Sequence, residues 1–409
     1  MKKKLLLIVL SLILVVSLAA CGGGAAPAAT PEPAPAPATS GGNDEPAATG
    51  PDASNPIKIG GLMAMTGGLA SDGEDFIQAI DLAVSMRNVD GVIGRTVEFV
   101  KEDSGSTPDT AVNAANKVLR DTSLDVVFGP HFSSQMLAIA DLINETEPMH
   151  LTGSQSLRVP EAVTNPTSAW FRIPDVYAAM ACATYLVQEL KVEKVGLLIV
   201  NDDFGQSAKE RIIAYLEDNG VDYVVETYGN EDKDMTTQIM NLKNAGIDSL
   251  VCWSYNDVFV VAARQLFELG VTDIPLFSNG AVTNPNSLER MESDWYDGWF
   301  CITEWNPQGT DPVSVEFNNN FVSTYNRSPN FLSASWHSAT HYYLDAVEKA
   351  GTTEKFAVVD AMKAMGDYES LVGIWSWTGE DPRILCKSMS VVQVTEGPTI
   401  TTKKVFDFR

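Results

Sequence analysis

The chain has 409 residues, 45% of them hydrophobic, with 28 Lys and Arg against 53 Asp and Glu and a formal net charge of −25. That acidity excludes nucleic acid and anionic membrane surfaces as electrostatic partners, since both would repel it. Four histidines and five scattered cysteines, with no CxxC pair, leave little material for acid–base, metal or disulfide chemistry.

The first element is a leader. Lys2, Lys3 and Lys4 precede an apolar run from Leu5 to Val16, and Ser17-Leu18-Ala19-Ala20-Cys21 supplies small residues for cleavage. The run is shorter than the roughly 20 residues that a membrane span needs. Leu18-Ala19-Ala20-Cys21 resembles the lipobox of bacterial lipoproteins. The resemblance implies removal of residues 1–20, diacylglycerol on the Cys21 thiol, and a lipid-anchored chain outside the cytoplasmic membrane. An ordinary signal peptide with an incidental cysteine is the alternative. Residues 21–56 read as a tether: Gly, Ala and Pro make up 24 of the 35 residues from Gly22 to Pro56. With no aromatic and no β-branched aliphatic residue, the segment cannot bury a core.

From Ile57 on, strands and helices alternate. Ile57–Met63 reads as a strand ending in a Gly-rich turn. Phe76, Ile77, Ile80, Ala83 and Val84 then mark one helix face. Thr96–Val100 is a strand, Ala111 to Leu119 a helix, Asp125–Phe128 a strand, Ser133–Asn144 a helix and Met149–Thr152 a strand. The beat restarts with strands at Lys194–Val200, Asp222–Thr227, Ser249–Trp253 and Ile274–Phe277, separated by helices at Gln206–Leu216, Thr236–Ala245 and Val258–Leu269. Such alternation predicts α/β architecture, with two doubly wound parallel-sheet lobes. The roughly 350 residues involved are more than one core usually holds. Ligands of such sheets sit beyond the carboxyl ends of the strands. The loops there, Met65–Asp72, Gly129–Ser134, Gly153–Ser156, Asn201–Gly205, Ser254–Asp257 and Ser278–Gly280, are rich in hydroxyls, amides and aromatics.

Three enzyme readings find weak support. The turn after the first strand lacks GxGxxG, so a dinucleotide pyrophosphate has no cradle. Ser133 and Ser134 stand in FGPHFSSQ, which is not the GxSxG elbow of hydrolases. His337 and His341 are spaced i, i+4 with Asp345 one turn on, but Ser338 stands where HExxH needs glutamate. The chain therefore reads as a binder without catalytic residues, metal or cofactor. Ser133 and Ser134 open a helix on the ligand rim, and Ser154 and Ser156 lie on the neighbouring loop, as donors for a carboxylate. A plain helix N-cap is the bland alternative for Ser133. Cys182 falls in a helical pattern and Cys252, Cys301 and Cys386 in strand-like runs, which favours free thiols.

The order of IKIGGLMAMTGGLASDG, TPDTAVNAANKVL, VVFGPHFSSQ, FRIPD, KVGLLIVNDDFGQ and GIDSLVCWSY resembles the branched-chain amino-acid-binding proteins of ABC transporters, the type I periplasmic-binding fold. The resemblance implies three crossovers, near Pro174, Cys301–Trp305 and Cys386–Ser388. It implies one lobe of 57–174 plus 304–385 and another of 175–303 plus 386–409. A membrane permease would be the partner of the closed form. By position it implies Ser133, Ser154 and Ser156 for the ligand carboxylate, Asp175 for the ammonium, and Phe204, Tyr255 and Trp336 as aromatic walls. Where the family carries a glutamate on the ammonium, this chain has Asn279, a neutral amide that pairs less strongly with a cation.

Overall fold

The computed structural model describes residues 50–146, 148–378, 381 and 383–408. The leader, Cys21 and most of the expected tether lie outside the described residues, and no helix among those described is long and apolar enough to cross a membrane.

In chain order, β1 (Asp52–Met63), α1 (Ala70–Arg87), β2 (Arg95–Asp103), α2 (Pro108–Val118), β3 (Val126–Phe128), α3 (Ser133–Ala138), α4 (Ala140–Asn144), β4 (Met149–Thr152), α5 (Arg158–Ala162) and β5 (Ser168–Trp170) build the first sheet. Then follow α6 (Asp175–Thr184), a π-helical turn, β6 (Lys194–Val200), α7 (Asp203–Asp218), β7 (Asp222–Tyr228), α8 (Thr236–Asn244), β8 (Ser249–Trp253), α9 (Asn256–Glu268) and β9 (Leu276–Asn279). The short α10 (Pro285–Glu289) and α11 (Ser293–Tyr296) lead to β10 (Phe300–Thr303). The chain returns through α12 (Pro312–Tyr325), α13 (Phe331–Ala350) and α14 (Lys355–Met365), the latter two packed together, with α13 also against α1. A small hairpin, β11 (Tyr368–Ser370) and β12 (Gly373–Trp375), precedes β13 (Ser388–Thr395) and β14 (Thr399–Asp407).

The first sheet has the order β2-β1-β3-β4-β5, and its strands run parallel. The second reads β14-β13-β10-β9-β8-β6-β7, parallel from β10 to β7 with an antiparallel pair added at one edge. Numbered within each sheet, both parallel portions follow the order 2-1-3-4-5. This is the doubly wound order in which the connections diverge between the first and third strands and leave a crevice there. Two such crevices exist: one beyond β1 and β3, the other beyond β6 and β8.

Local chemistry sets the helix starts. Thr107 caps α2 with its hydroxyl on the Thr110 N–H, and Pro108 fills the first helical position where a missing N–H costs nothing. Asp202 caps α7 through Gly205 N, and Asn330 caps α13 through Ser333 N. Gly73 and Gly205 sit in the first turns of α1 and α7, where a Cβ would collide with the carbonyl oxygens of Ala64 and Val200. Glycine thus lets each helix start lie directly on the strand end that leads into its crevice.

Three expectations need correction. β1 begins at Asp52, five residues inside the expected tether, because Asp52 pairs with Arg95 on β2. The expected helix from Ser133 to Asn144 breaks at Ile139 (φ −112°, ψ 8°), so α3 has only six residues and offers little dipole. The strand expected at 274–277 is shifted to β9, making Asn279 its last residue.

Candidate functional site

The loops after β1, β3, β6, β8 and β9 converge on one cavity of about 620 Å³, its mouth included. Asp72, His131, Phe132, Ser133, Gln155 and Arg172 come from the first sheet and its exit. Phe204, Ser254, Tyr255, Asn256, Asn279 and Gly280 come from the second, with Glu304, Phe331 and Leu332 from the returning chain.

On the first wall, Ser133 is buried, and its Oγ accepts from Ser156 N–H and Ser154 O–H, each at 3.2 Å. Both lone pairs are therefore in use, and the Ser133 proton is the atom left to donate. Ser154 and Ser156 are buried and absent from the wall, so they support Ser133 rather than line the cavity. The N-cap of α3 is Phe132 with no side-chain bond, so Ser133 is not a cap.

Deeper lies a buried polar string. Arg172 Nε stands 3.1 and 3.0 Å from the two carboxylate oxygens of Glu304, which also accepts from Ser335 Oγ at 3.0 Å. Arg172 Nη1 reaches His131 Nε2 at 2.9 Å, while Trp336 Nε1 faces His131 Nδ1 at 3.2 Å. A neutral imidazole has one acceptor nitrogen, so only one of these can be a hydrogen bond. The shorter, charge-assisted Arg172 contact takes it. Burial, then the Arg172 charge, holds the His131 pKa well below the ordinary histidine value. Trp336, expected as a ligand wall, lies fully buried behind His131 and does not reach the cavity.

On the second wall, Phe204 and Tyr255 stack with ring centroids 5.3 Å apart and planes at 27°. Phe132 from the first wall meets Tyr255 edge-on at 5.5 Å. The Tyr255 hydroxyl donates to Asp202 Oδ2 at 2.6 Å, which ties the ring to the α7 cap.

The two residues expected on the ligand ammonium, Asn279 and Asp175, are engaged differently. Asn279 lines the cavity, but its amide is committed: Oδ1 accepts from Ser254 N at 2.9 Å and Nδ2 donates to Ser254 O at 2.8 Å. An ionised carboxylate could only accept, whereas the amide serves both partners. Asp175 heads α6 beside α7, accepts from Ser207 Oγ at 2.8 Å through Oδ1, and is not on the cavity wall. Among the described residues its buried Oδ2 has no hydrogen-bond partner, and burial raises its pKa well above the carboxylate range.

A carboxyl that sequence reading did not single out stands on the wall instead. Asp72, on the first turn of α1, is buried and accepts from Asn256 Nδ2 of α9, across the cleft. Burial first, then the neighbouring Asp75, raises its pKa to about 8.

Residues 56–398 match the family model for periplasmic binding proteins. The chain belongs to that family. A Leu/Ile/Val-binding protein of Rhizobium johnstonii is 23% identical to this periplasmic binding protein over 368 residues, 85% of this chain and 94% of the relative. An amino acid binding protein of Pseudomonas aeruginosa is 25% identical over 233 residues, 56% of this chain and 62% of its own length. Among solved structures, a leucine binding protein of Thermotoga maritima superposes with a TM-score of 0.77 at 21% identity, covering 86% of this chain and 99% of its own. A solute binding protein of an ABC transporter from Rhodopseudomonas palustris, in complex with 3,4-dihydroxybenzoic acid, gives 0.78 at 20% identity, covering 86% and 98%. At these identities the structural likenesses establish the type I periplasmic-binding fold for this chain.

The remaining features of this periplasmic binding protein lie away from the cleft. Cys182, Cys252, Cys301 and Cys386 are buried free thiols. The His337 and His341 rings lie 4.5 Å apart on α13 beside Phe317, and no cluster of three or more potential metal ligands occurs among the described residues. Arg172, Glu304 and Asp72 were the functional groups that sequence reading missed. Arg172 is the only charge between Trp170 and Pro174 and Glu304 follows a buried strand, a signal of polar groups drawn inside.

Proposed function

We propose that this chain is an extracytoplasmic receptor, anchored by lipid on Cys21, that captures an amino acid in the cleft and presents the closed form to the permease of an ABC importer. It performs no chemistry. The arrangement of Ser133 carries the reading. Two buried donors occupy its lone pairs, so its hydroxyl proton points the site towards an anionic group such as a carboxylate. The Phe204–Tyr255 stack on the second wall, together with Phe331 and Leu332 of α13, offers apolar surface for a side chain. A hinge closing between two lobes buries such a ligand from both sides. Names among the relatives, Leu/Ile/Val-binding and leucine binding, support the amino-acid class.

A second reading, an aromatic carboxylic acid, draws on Arg172 in the wall and on the relative solved with 3,4-dihydroxybenzoic acid.

The test is to purify the full chain in mild detergent, denature it, identify released small molecules by mass spectrometry, and titrate the refolded protein with them. A stoichiometric amino acid that rebinds unchanged, more weakly in Ser133→Ala, supports the receptor. A released nucleotide, or a molecule consumed on incubation, refutes it.

A further inference from the structure

Among the described residues the cavity wall carries Asp72, Arg172 and Glu304, and Asp72 alone has no oppositely charged partner. Arg172 is spent on Glu304. Asp75, one turn deeper on α1 and fully buried, stands 2.6 Å from Arg327 and also receives Asn330. Asp72 is the exception: among the described residues no basic side chain pairs with it, and its partner is the neutral amide of Asn256.

Without a cation, burial favours the protonated form of Asp72, and a cationic guest entering beside it would restore the carboxylate and pair with it. The surroundings sharpen this. Asp75 from α1 and Asp257 from α9 add negative potential at Asp72, and Arg172, which offsets part of it, is shared with Glu304. A guest group at this point is favoured if it is positive and disfavoured if it is negative. Ser133, with its free proton, marks the opposite preference elsewhere on the same wall.

Resting on the amino-acid reading above, we propose that Asp72 is the group that holds the ligand's ammonium. The charge recognition lost with a neutral Asn279 is thereby supplied from the other lobe. Asn279 is left to brace the Ser254 backbone, and Asn256, bonded to Asp72, aligns the carboxylate from across the cleft. The ligand class is an α-amino acid with a free amine, and a carboxylic acid of the same shape without the amine is rejected.

The experiment compares wild type with Asp72→Asn by calorimetry, using L-leucine and L-phenylalanine against their amine-free counterparts 4-methylpentanoate and 3-phenylpropanoate. Wild type is expected to prefer the amino acid. Asp72→Asn is expected to lose roughly 30-fold or more in amino-acid affinity, with no loss for the amine-free acid. Thermal unfolding of both proteins shows that the variant is folded, and Asp72→Glu, which keeps the charge, is expected to recover part of the affinity. Wild type that binds amino acids while Asp72→Asn binds them equally overturns the assignment and leaves the receptor reading standing. Wild type that prefers the amine-free acids overturns the amino-acid reading and the assignment together, as does wild type that binds none of the four.

Discussion

Replacing Arg172 by Met tests how far the buried ion pair with Glu304 stabilises the fold. Arg172 follows β5, where the chain leaves the first sheet, and Glu304 follows β10, where it leaves the second. Their side chains are 6% and 0% exposed, and Nε lies 3.1 and 3.0 Å from the two carboxylate oxygens. Arg172→Met fills similar space but leaves Glu304 buried with Ser335 as its one remaining side-chain donor among the described residues. Removing one partner of a buried pair costs about 3–5 kcal/mol, a large part of the 5–15 kcal/mol that holds a typical domain. Taking both charges away is far milder, because the desolvation cost of each ion disappears with it. Guanidinium unfolding followed by tryptophan fluorescence measures this. Arg172→Met is expected to lose about 3–5 kcal/mol, and Arg172→Met with Glu304→Met to recover most of it. A single variant that loses less than about 1 kcal/mol, or a double variant that loses the sum of both singles, would refute the reasoning.

Other outcomes follow from the same geometry. Asn279→Asp sets a carboxylate oxygen against the Ser254 carbonyl and is expected to cost about 1–3 kcal/mol in thermal unfolding at neutral pH. Arg158 reaches Asp203 at 3.1 Å and Glu210 at 3.0 Å from the first lobe to the second, but its side chain is 45% exposed. Arg158→Ala should therefore shift ligand affinity by no more than about fivefold, an effect that fades in high salt. Burial lowers the His150 pKa to about 4, against 6.5 for the free side chain. Below pH 6.5 the unfolded chain binds a proton that the folded one refuses, so this group's contribution to stability falls as pH drops from 6.5 to 4. His150→Gln, followed by denaturant unfolding across that range, is expected to flatten the acid-side loss.

The alternation of helices and strands was legible because each element's burial pattern is periodic, and periodicity survives in a single sequence. The β6 and β8 strands show buried runs in the sequence and in the folded chain alike. Ser133, Phe204 and Tyr255 reach the cavity wall for a related reason: the fold fixes which strand-to-helix loops border the crevice, and these residues stand where those loops pass into helices.

What the sequence could not decide is how each polar group spends its bonds. Asn279 looked like a weakened ammonium ligand, yet its amide closes on the Ser254 backbone. Asp175 looked like the cation's partner and lies between α6 and α7 with Ser207. Trp336 stands behind His131, and Arg172 and Glu304, 132 positions apart, meet only because two crossovers run side by side. Sequence by itself determined the order of elements, the acidity and the rim loops, since these depend on composition and neighbours along the chain. Tertiary structure decided which carboxyl is left unpaired in the cleft, because pairing is a matter of distance between residues that the chain brings together from far apart.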